Sequence, residues 1–178
     1  GVAAYSLGAL LRPAPELHGS ELENPQPVDD IRLVAADGEE VGLADYRGEW
    51  TLVFFGYTRC PDVCPLTMSV LGSLYRDLNE PEDLNVVLIT VDPDYDTPEI
   101  VQRYAAGFHP DFIGLAGPRE SLDEAADRFY VSHQPVHGGI IHSEPVMLVD
   151  PECRFWRIYN AENLVHLESD LRLLLADS

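Results

Sequence analysis

Residues 54–68, FFGYTRCPDVCPLTM, constrain this chain more than any other stretch. A strongly apolar run ends there, and Cys60 and Cys64 follow with three residues between them, just before a helical pattern begins. Pro61 suits the first position of a helix, where its missing N–H costs nothing. Pro65 lies about one turn further in and removes another donor, so the first turn is expected to be tight or irregular. The amides and macrodipole at a helix start favour thiolate over thiol. Thiolates are the species that exchange disulfides and bind soft metal ions. The plainer alternative is two buried cysteines packing as small hydrophobes. The flanking prolines and the strand-to-helix junction favour a site.

The rest of the chain supplies a frame for that junction. Trp50 to Tyr57 reads as a strand buried on both faces. Leu66, Val70, Leu71, Leu74 and Leu78 recur at helical spacing, which predicts a helix to about Asn79. Ile31 to Leu43 reads as a hairpin about the turn pair Asp37-Gly38. Leu84 to Val91 is a second buried strand. Asp96 or Thr97 then caps a helix with Pro98 at its first position, running to about Gly107. Phe112 to Ala116 is a short strand and Arg119 to Tyr130 a helix. Val146–Val149 and Phe155–Tyr159 pair across a turn, and Ala161–Ala176 closes the chain as an amphipathic helix. Strands alternating with helices predict an α/β fold with a central mixed sheet flanked by helices and an N-terminal β-hairpin. A dithiol at the helix start that follows a central strand is the thioredoxin-like arrangement, with its site at the carboxyl end of that strand.

At 178 residues the chain is long enough for one domain with a sizeable core. Residues 28–178 are expected to form it. Residues 1–27 read as an apolar opening, GVAAYSLGALLRP, followed by a linker or extended arm containing Pro13, Pro15, Pro25 and Pro27. The opening is shorter than the roughly 20 residues that span a bilayer and is read as the outer end of a membrane anchor. The formal net charge is −20, and every basic side chain is arginine. That balance excludes nucleic-acid binding, which needs a basic surface, and adhesion of the domain to an anionic membrane. It fits a solvated acidic surface, or a face that steers a basic partner.

A metal site needs more donors than two sulfurs. His18 falls in the linker and His166 on the closing helix, where solvated roles suit both. His109 sits at a helix end, where a cation complements the dipole. His133, His137 and His142 cluster in SHQPVHGGIIHSEP, a glycine-containing loop leading into the late strand. By spacing, any of these three is a candidate ligand. Asp92, Asp94 and Asp96 lack the central glycine and distal glutamate of a calcium loop, and helix capping explains them better.

The strings FFGYTRCPDVCP, VDPDYDTPE, FHPDFIGLAG and IIHSEPVMLVDPE together resemble the Sco/SenC family of membrane-tethered copper-binding proteins, over about Val28 to Leu175. The resemblance implies a thioredoxin-like fold and copper, Cu(I) or Cu(II), held by Cys60, Cys64 and His142. It implies a copper chaperone for the CuA-bearing subunit of cytochrome c oxidase, tethered by its N-terminus outside the cytoplasmic membrane, on the periplasmic side. Other copper chaperones or thioredoxin-like reductants are the further partners it suggests. Three departures stand out. Ile141 occupies the place of an aspartate that usually precedes the histidine, with Glu144 as a possible substitute for orienting the imidazole. Pro145 lies where a ladder position would not tolerate it, so pairing is expected from Val146. Cys153 stands where glycine is common and is expected to be inert.

Rival readings remain open at this stage. Cys60 and Cys64 also suit a thiol–disulfide reductase that keeps the oxidase copper-site cysteines reduced, although the usual spacing has two intervening residues rather than three. A peroxiredoxin-like peroxidase is disfavoured because Val53 stands where its proline belongs, despite Thr58 near Cys60. A closed structural zinc site needs four ligands, and only three are evident.

Overall fold

A computed structural model describes residues 15–131, 133–136, 139–142 and 145–177, the backbone alone for 133–136 and 139–142. Six strands make the central sheet: β1 (Ser20–Pro27), β4 (Trp50–Gly56), β5 (Leu84–Thr90), β6 (Ile113–Leu115), β9 (Val146–Val149) and β10 (Arg154–Tyr159). Their order across the sheet is β1-β10-β9-β4-β5-β6. β4, β5 and β6 are parallel, and β9, β10 and β1 add antiparallel neighbours in turn. Among the described residues four α-helices accompany them: α1 (Val63–Asp77), α2 (Pro98–Ala106), α3 (Arg119–Arg128) and α4 (Leu167–Ala176). The mixed α/β, thioredoxin-like fold expected from the sequence is the one observed.

The central strands are predominantly apolar because both faces of the sheet are covered. Alternation divides them. Leu52, Phe54, Val86, Leu88, Val146 and Leu148 face a core shared with α1, α2 and α4. Val53, Phe55, Val87, Ile89, Met147 and Val149 face a second core shared with α3 and the hairpin of β2 (Arg32–Val34) and β3 (Glu40–Gly42). The Asp37-Gly38 turn of that hairpin is as expected, with Gly38 at φ 84°. In that left-handed region glycine carries no Cβ penalty.

Three expectations need correction. The buried stripe of α1 is Cys64, Met68, Leu71 and Tyr75, whereas Leu66 is 68% exposed and Val70 is partly exposed. The helix itself ends where expected, and Leu71, Leu74 and Leu78 of the expected set are buried; tertiary packing turned only Leu66 and Val70 outward and placed Cys64 and Met68 in the core. Ser20–Pro27, within the stretch read as linker, is edge strand β1, paired with β10 through an irregular register. An edge tolerates Pro25 and Pro27 because one side of the strand needs no ladder donors. The late histidine loop is a hairpin, β7 (His133–Val136) with β8 (Gly139–His142), in which His133 pairs with His142. Ladder pairing of β9 starts at Val146, directly after Pro145, as anticipated.

Among the described residues no helix is long and apolar enough to cross a membrane. Residues 1–14, read as an anchor remnant, lie outside the described residues.

Candidate functional site

β4 ends at Gly56 and α1 starts at Val63, so the intervening turn places Cys60 and Cys64 at the carboxyl end of a central strand. Cys60 is half-buried and Cys64 fully buried. The Cys64 N–H donates to Cys60 Sγ at 3.4 Å. Burial pushes the Cys60 thiol up. The N–H of Cys64, the Cys64 thiol, and the N–H groups of Asp62 and Val63 outweigh that, and the thiol lies below its ordinary value. This is the stabilisation of sulfur charge that a helix start provides. No disulfide joins the pair in the structure. The helix begins at Val63 rather than at Pro61, consistent with the irregular first turn that two prolines impose.

Gly56 makes room for the buried sulfur. A Cβ there would lie 3.0 Å from Cys64 Sγ, 3.1 Å from Phe54 and 3.3 Å from Leu88. A second set of contacts fixes the turn before Cys60. Asp96, almost fully buried, accepts from the Thr58 N–H at 3.0 Å, from the Thr58 hydroxyl, and from the Thr90 hydroxyl at 2.7 Å. Next to it, Arg59 donates to Asp92 Oδ2 at 2.6 and 3.2 Å and lies 4.3 Å above the Tyr95 ring. The sequence reading gave Asp96 to helix capping. The cap is Thr97, whose hydroxyl accepts from Ile100 N–H at 3.3 Å, and Asp96 turns inward to the thiol loop. An aspartate spaced two residues ahead of Pro98 signals only a helix start, so this role was invisible locally.

The other candidates divide clearly. His109 is buried, with Nε2 bonded to Glu80 at 2.9 Å and Nδ1 accepting from Asp111 N–H at 3.1 Å, which is a structural role. His18, read as solvated, bonds Asp170 Oδ1 at 2.9 Å and stacks on His166 with ring centroids 4.1 Å apart. Cys153 is buried in the core on the other sheet face from Cys64. Its φ of 62° explains why glycine suits that turn, and burial raises its thiol above the ordinary value, the opposite direction from Cys60.

His142 ends β8, four residues before Val146, and Val146 pairs with Phe54 near the end of β4. His133 shares its backbone register. His137 and Glu144 lie outside the described residues. Among the described residues no three His, Cys, Asp or Glu side chains come together as a metal set. The two sulfurs are nonetheless a soft donor pair of the kind Cu(I) accepts, with one of them reachable from solvent.

The sequence model of the SCO1/SenC family matches residues 20–170. An SCO2-like protein of Rickettsia conorii is 32% identical over 164 residues, covering 86% of this chain and 80% of that protein. The solution structure of apo Sco1 from Thermus thermophilus aligns with a TM-score of 0.78 at 35% identity, covering 90% of this chain and 97% of that one. A crystal structure of Arabidopsis thaliana ScoI with copper bound aligns with a TM-score of 0.75 at 28% identity, covering 87% and 98%.

Proposed function

The chain belongs to the SCO1/SenC family, and on that premise we propose that it carries one copper ion and delivers it to the CuA-bearing subunit of cytochrome c oxidase. Cys60, Cys64 and His142 are the proposed donors. The observation that carries this reading is the Cys60–Cys64 pair itself, seated at a helix start that favours sulfur charge. Two thiolates and one imidazole form a donor set suited to Cu(I), and able to hold Cu(II). Copper here is cargo. Cys60, half-buried, is the sulfur an incoming ligand reaches first, while Cys64 stays in the core, so release by successive ligand exchange would begin at Cys60. The N-terminal stretch would tether the domain on the periplasmic side of the cytoplasmic membrane.

Anaerobic copper titration of the reduced protein tests the assignment. One equivalent is expected, and retention of that copper by a Cys60→Ser/Cys64→Ser variant would refute the sulfur ligands. His142→Ala is expected to remove the nitrogen contribution to the Cu(II) spectrum. Loss of it in His137→Ala with none in His142→Ala would move the ligand to His137.

The lowered Cys60 thiol also favours a second reading, a thiol–disulfide reductase acting on the oxidase copper-site cysteines. Turnover of a disulfide peptide by the copper-free protein would support it, and no turnover would leave copper delivery as the function.

A further inference from the structure

Six large apolar side chains stand exposed among the described residues, and three of them, Leu66, Val70 and Val165, line a single groove. Between them lie Leu74 of α1, which is buried, and Leu164, which is half-buried and belongs to a 3₁₀ turn (Leu164–His166) ahead of α4. Leu66 is 68% exposed and Val165 78%, so the fold gains little from their being apolar. Apolar residues scattered over a surface are ordinary, whereas several gathered into one groove mark a place where another molecule sits. The rest of the lining is two serines of α1 and two carboxylates, Asp77 and Glu168, with no basic side chain. Glu168 is held by Arg172 at 2.6 Å, and the same guanidinium donates to the Asp77 carbonyl at 2.9 Å. The Asp77 carboxylate has no ion-pair partner among the described residues.

We propose that this groove docks the protein that receives the copper, and that this partner offers a short apolar segment ending in a basic side chain; the proposal rests on the delivery reading above. Position and charge select that occupant. Along α1, Leu66 lies two residues beyond Cys64, about 3 Å further down the helix axis, and Asp77 follows about 17 Å beyond Leu66. A segment lying along α1 therefore has its apolar part near the turn that carries Cys60 and its basic part at Asp77. A second copy of this chain would bring another charge of −20 to the contact, and anionic lipid would be repelled for the same reason. A basic partner gains twice: attraction speeds the encounter, and the desolvated apolar contact holds the complex.

The test is equilibrium binding of the reduced protein to the soluble domain of the CuA-bearing oxidase subunit, with a copper titration of the same samples. Leu66→Gln and Val165→Gln alter exposed side chains, which keeps the fold, and they add no charge near the sulfurs. The double variant is expected to bind that domain about tenfold more weakly, with copper stoichiometry and affinity unchanged. Asp77→Asn is expected to weaken binding at low salt and to have no effect at high salt. Undiminished binding by the double variant overturns the groove and leaves the delivery reading standing. Unchanged low-salt binding by Asp77→Asn overturns the basic end of the partner. The groove is also overturned as a partner site if the double variant abolishes self-association of the unaltered protein, or its binding to phosphatidylglycerol vesicles. A loss of copper affinity in the double variant overturns it as well, by showing that these side chains act on the metal site. If the unaltered protein does not bind the oxidase domain at all, delivery and groove fall together.

Discussion

Thr58 gives both its backbone N–H and its hydroxyl to one carboxylate, that of Asp96, thirty-eight positions later in the chain. Thr58 stands two residues before Cys60, and Asp96 stands at the threshold of α2. The thiol-bearing turn is thus fastened to a different βα unit from the one that contains it. Asp96→Ala leaves two donors of Thr58 and one of Thr90 unmet in a nearly closed environment. A loss of about 2–3 kcal/mol is expected, seen as a Tm lower by about 5–10 °C in thermal unfolding. Copper affinity should fall as well, because the turn carrying Cys60 loses its anchor. Unchanged stability would show that the bonds are dispensable.

At Gly56 the backbone passes close to the buried sulfur of Cys64. Gly56→Ala puts a methyl group 3.0 Å from Cys64 Sγ, between Phe54 and Leu88. Overpacking of this kind costs about 1–3 kcal/mol. It should also displace Cys64 and weaken copper binding beyond what the stability loss alone produces. Urea unfolding together with a copper titration of the reduced variant checks both effects.

Asp170 ties the residues leading into β1 to the closing helix. Its carboxylate, fully buried, accepts from the His18 N–H at 2.7 Å, the Gly19 N–H at 3.0 Å and the Tyr159 hydroxyl at 2.7 Å, and it pairs with the His18 ring. Burial alone would raise it, but the bonds to His18, Tyr159 and Gly19 prevail and hold it below the ordinary aspartate value of 3.8. A carboxyl depressed by folding contributes stability above its unfolded value and loses that contribution as pH falls through the folded value. Asp170→Asn should therefore cost about 2–3 kcal/mol at neutral pH. The gap between the two proteins should close as pH drops below 3.8, measured by urea unfolding across the acid range.

Copper loading should depend on the redox state of the pair. A Cys60–Cys64 disulfide removes both thiolate donors at once, so the oxidised protein is expected to bind no copper at this site, with full binding restored by a reductant. Equilibrium dialysis of the oxidised and re-reduced protein gives the comparison. Equal loading of both forms would rule out sulfur ligation.

Much of the architecture was legible because it is local. WTLVFFG has no polar break, which leaves a doubly covered strand as the natural outcome, and Thr97-Pro98 marks a helix start by residue type alone. The dithiol was legible for the same reason: its chemistry and its place at the strand-to-helix junction sit in one short string. What escaped depends on partners distant in sequence. SELENPQP carries little strand pattern of its own, and it becomes β1 because β10 offers an open edge. Further ties hold it there, among them Arg157, which donates to Gly19 O at 2.6 Å. His18 looks solvated until Asp170, 152 positions away, is placed beside it. Leu66 and Val70 fit a helical stripe as well as Met68 and Tyr75 do, and only the position of the sheet separates them.

The edge strand also decides how the thiols are presented. Ser20, Ile158, Met147 and Val53 pair in succession, forming one row across β1, β10, β9 and β4. From that row β4 runs up towards Cys60, while β1 runs down, so residues 15–19 arrive from the side on which the thiols sit. Three strand spacings, about 14 Å, separate the two paths. If the proposed tether continues from Pro15, it starts on the thiol-bearing side of the sheet. Such a tether would set the clearance in front of the sulfurs, at most about 3.5 Å for each extended residue. Shortening it would then narrow the gap through which the proposed partner reaches them.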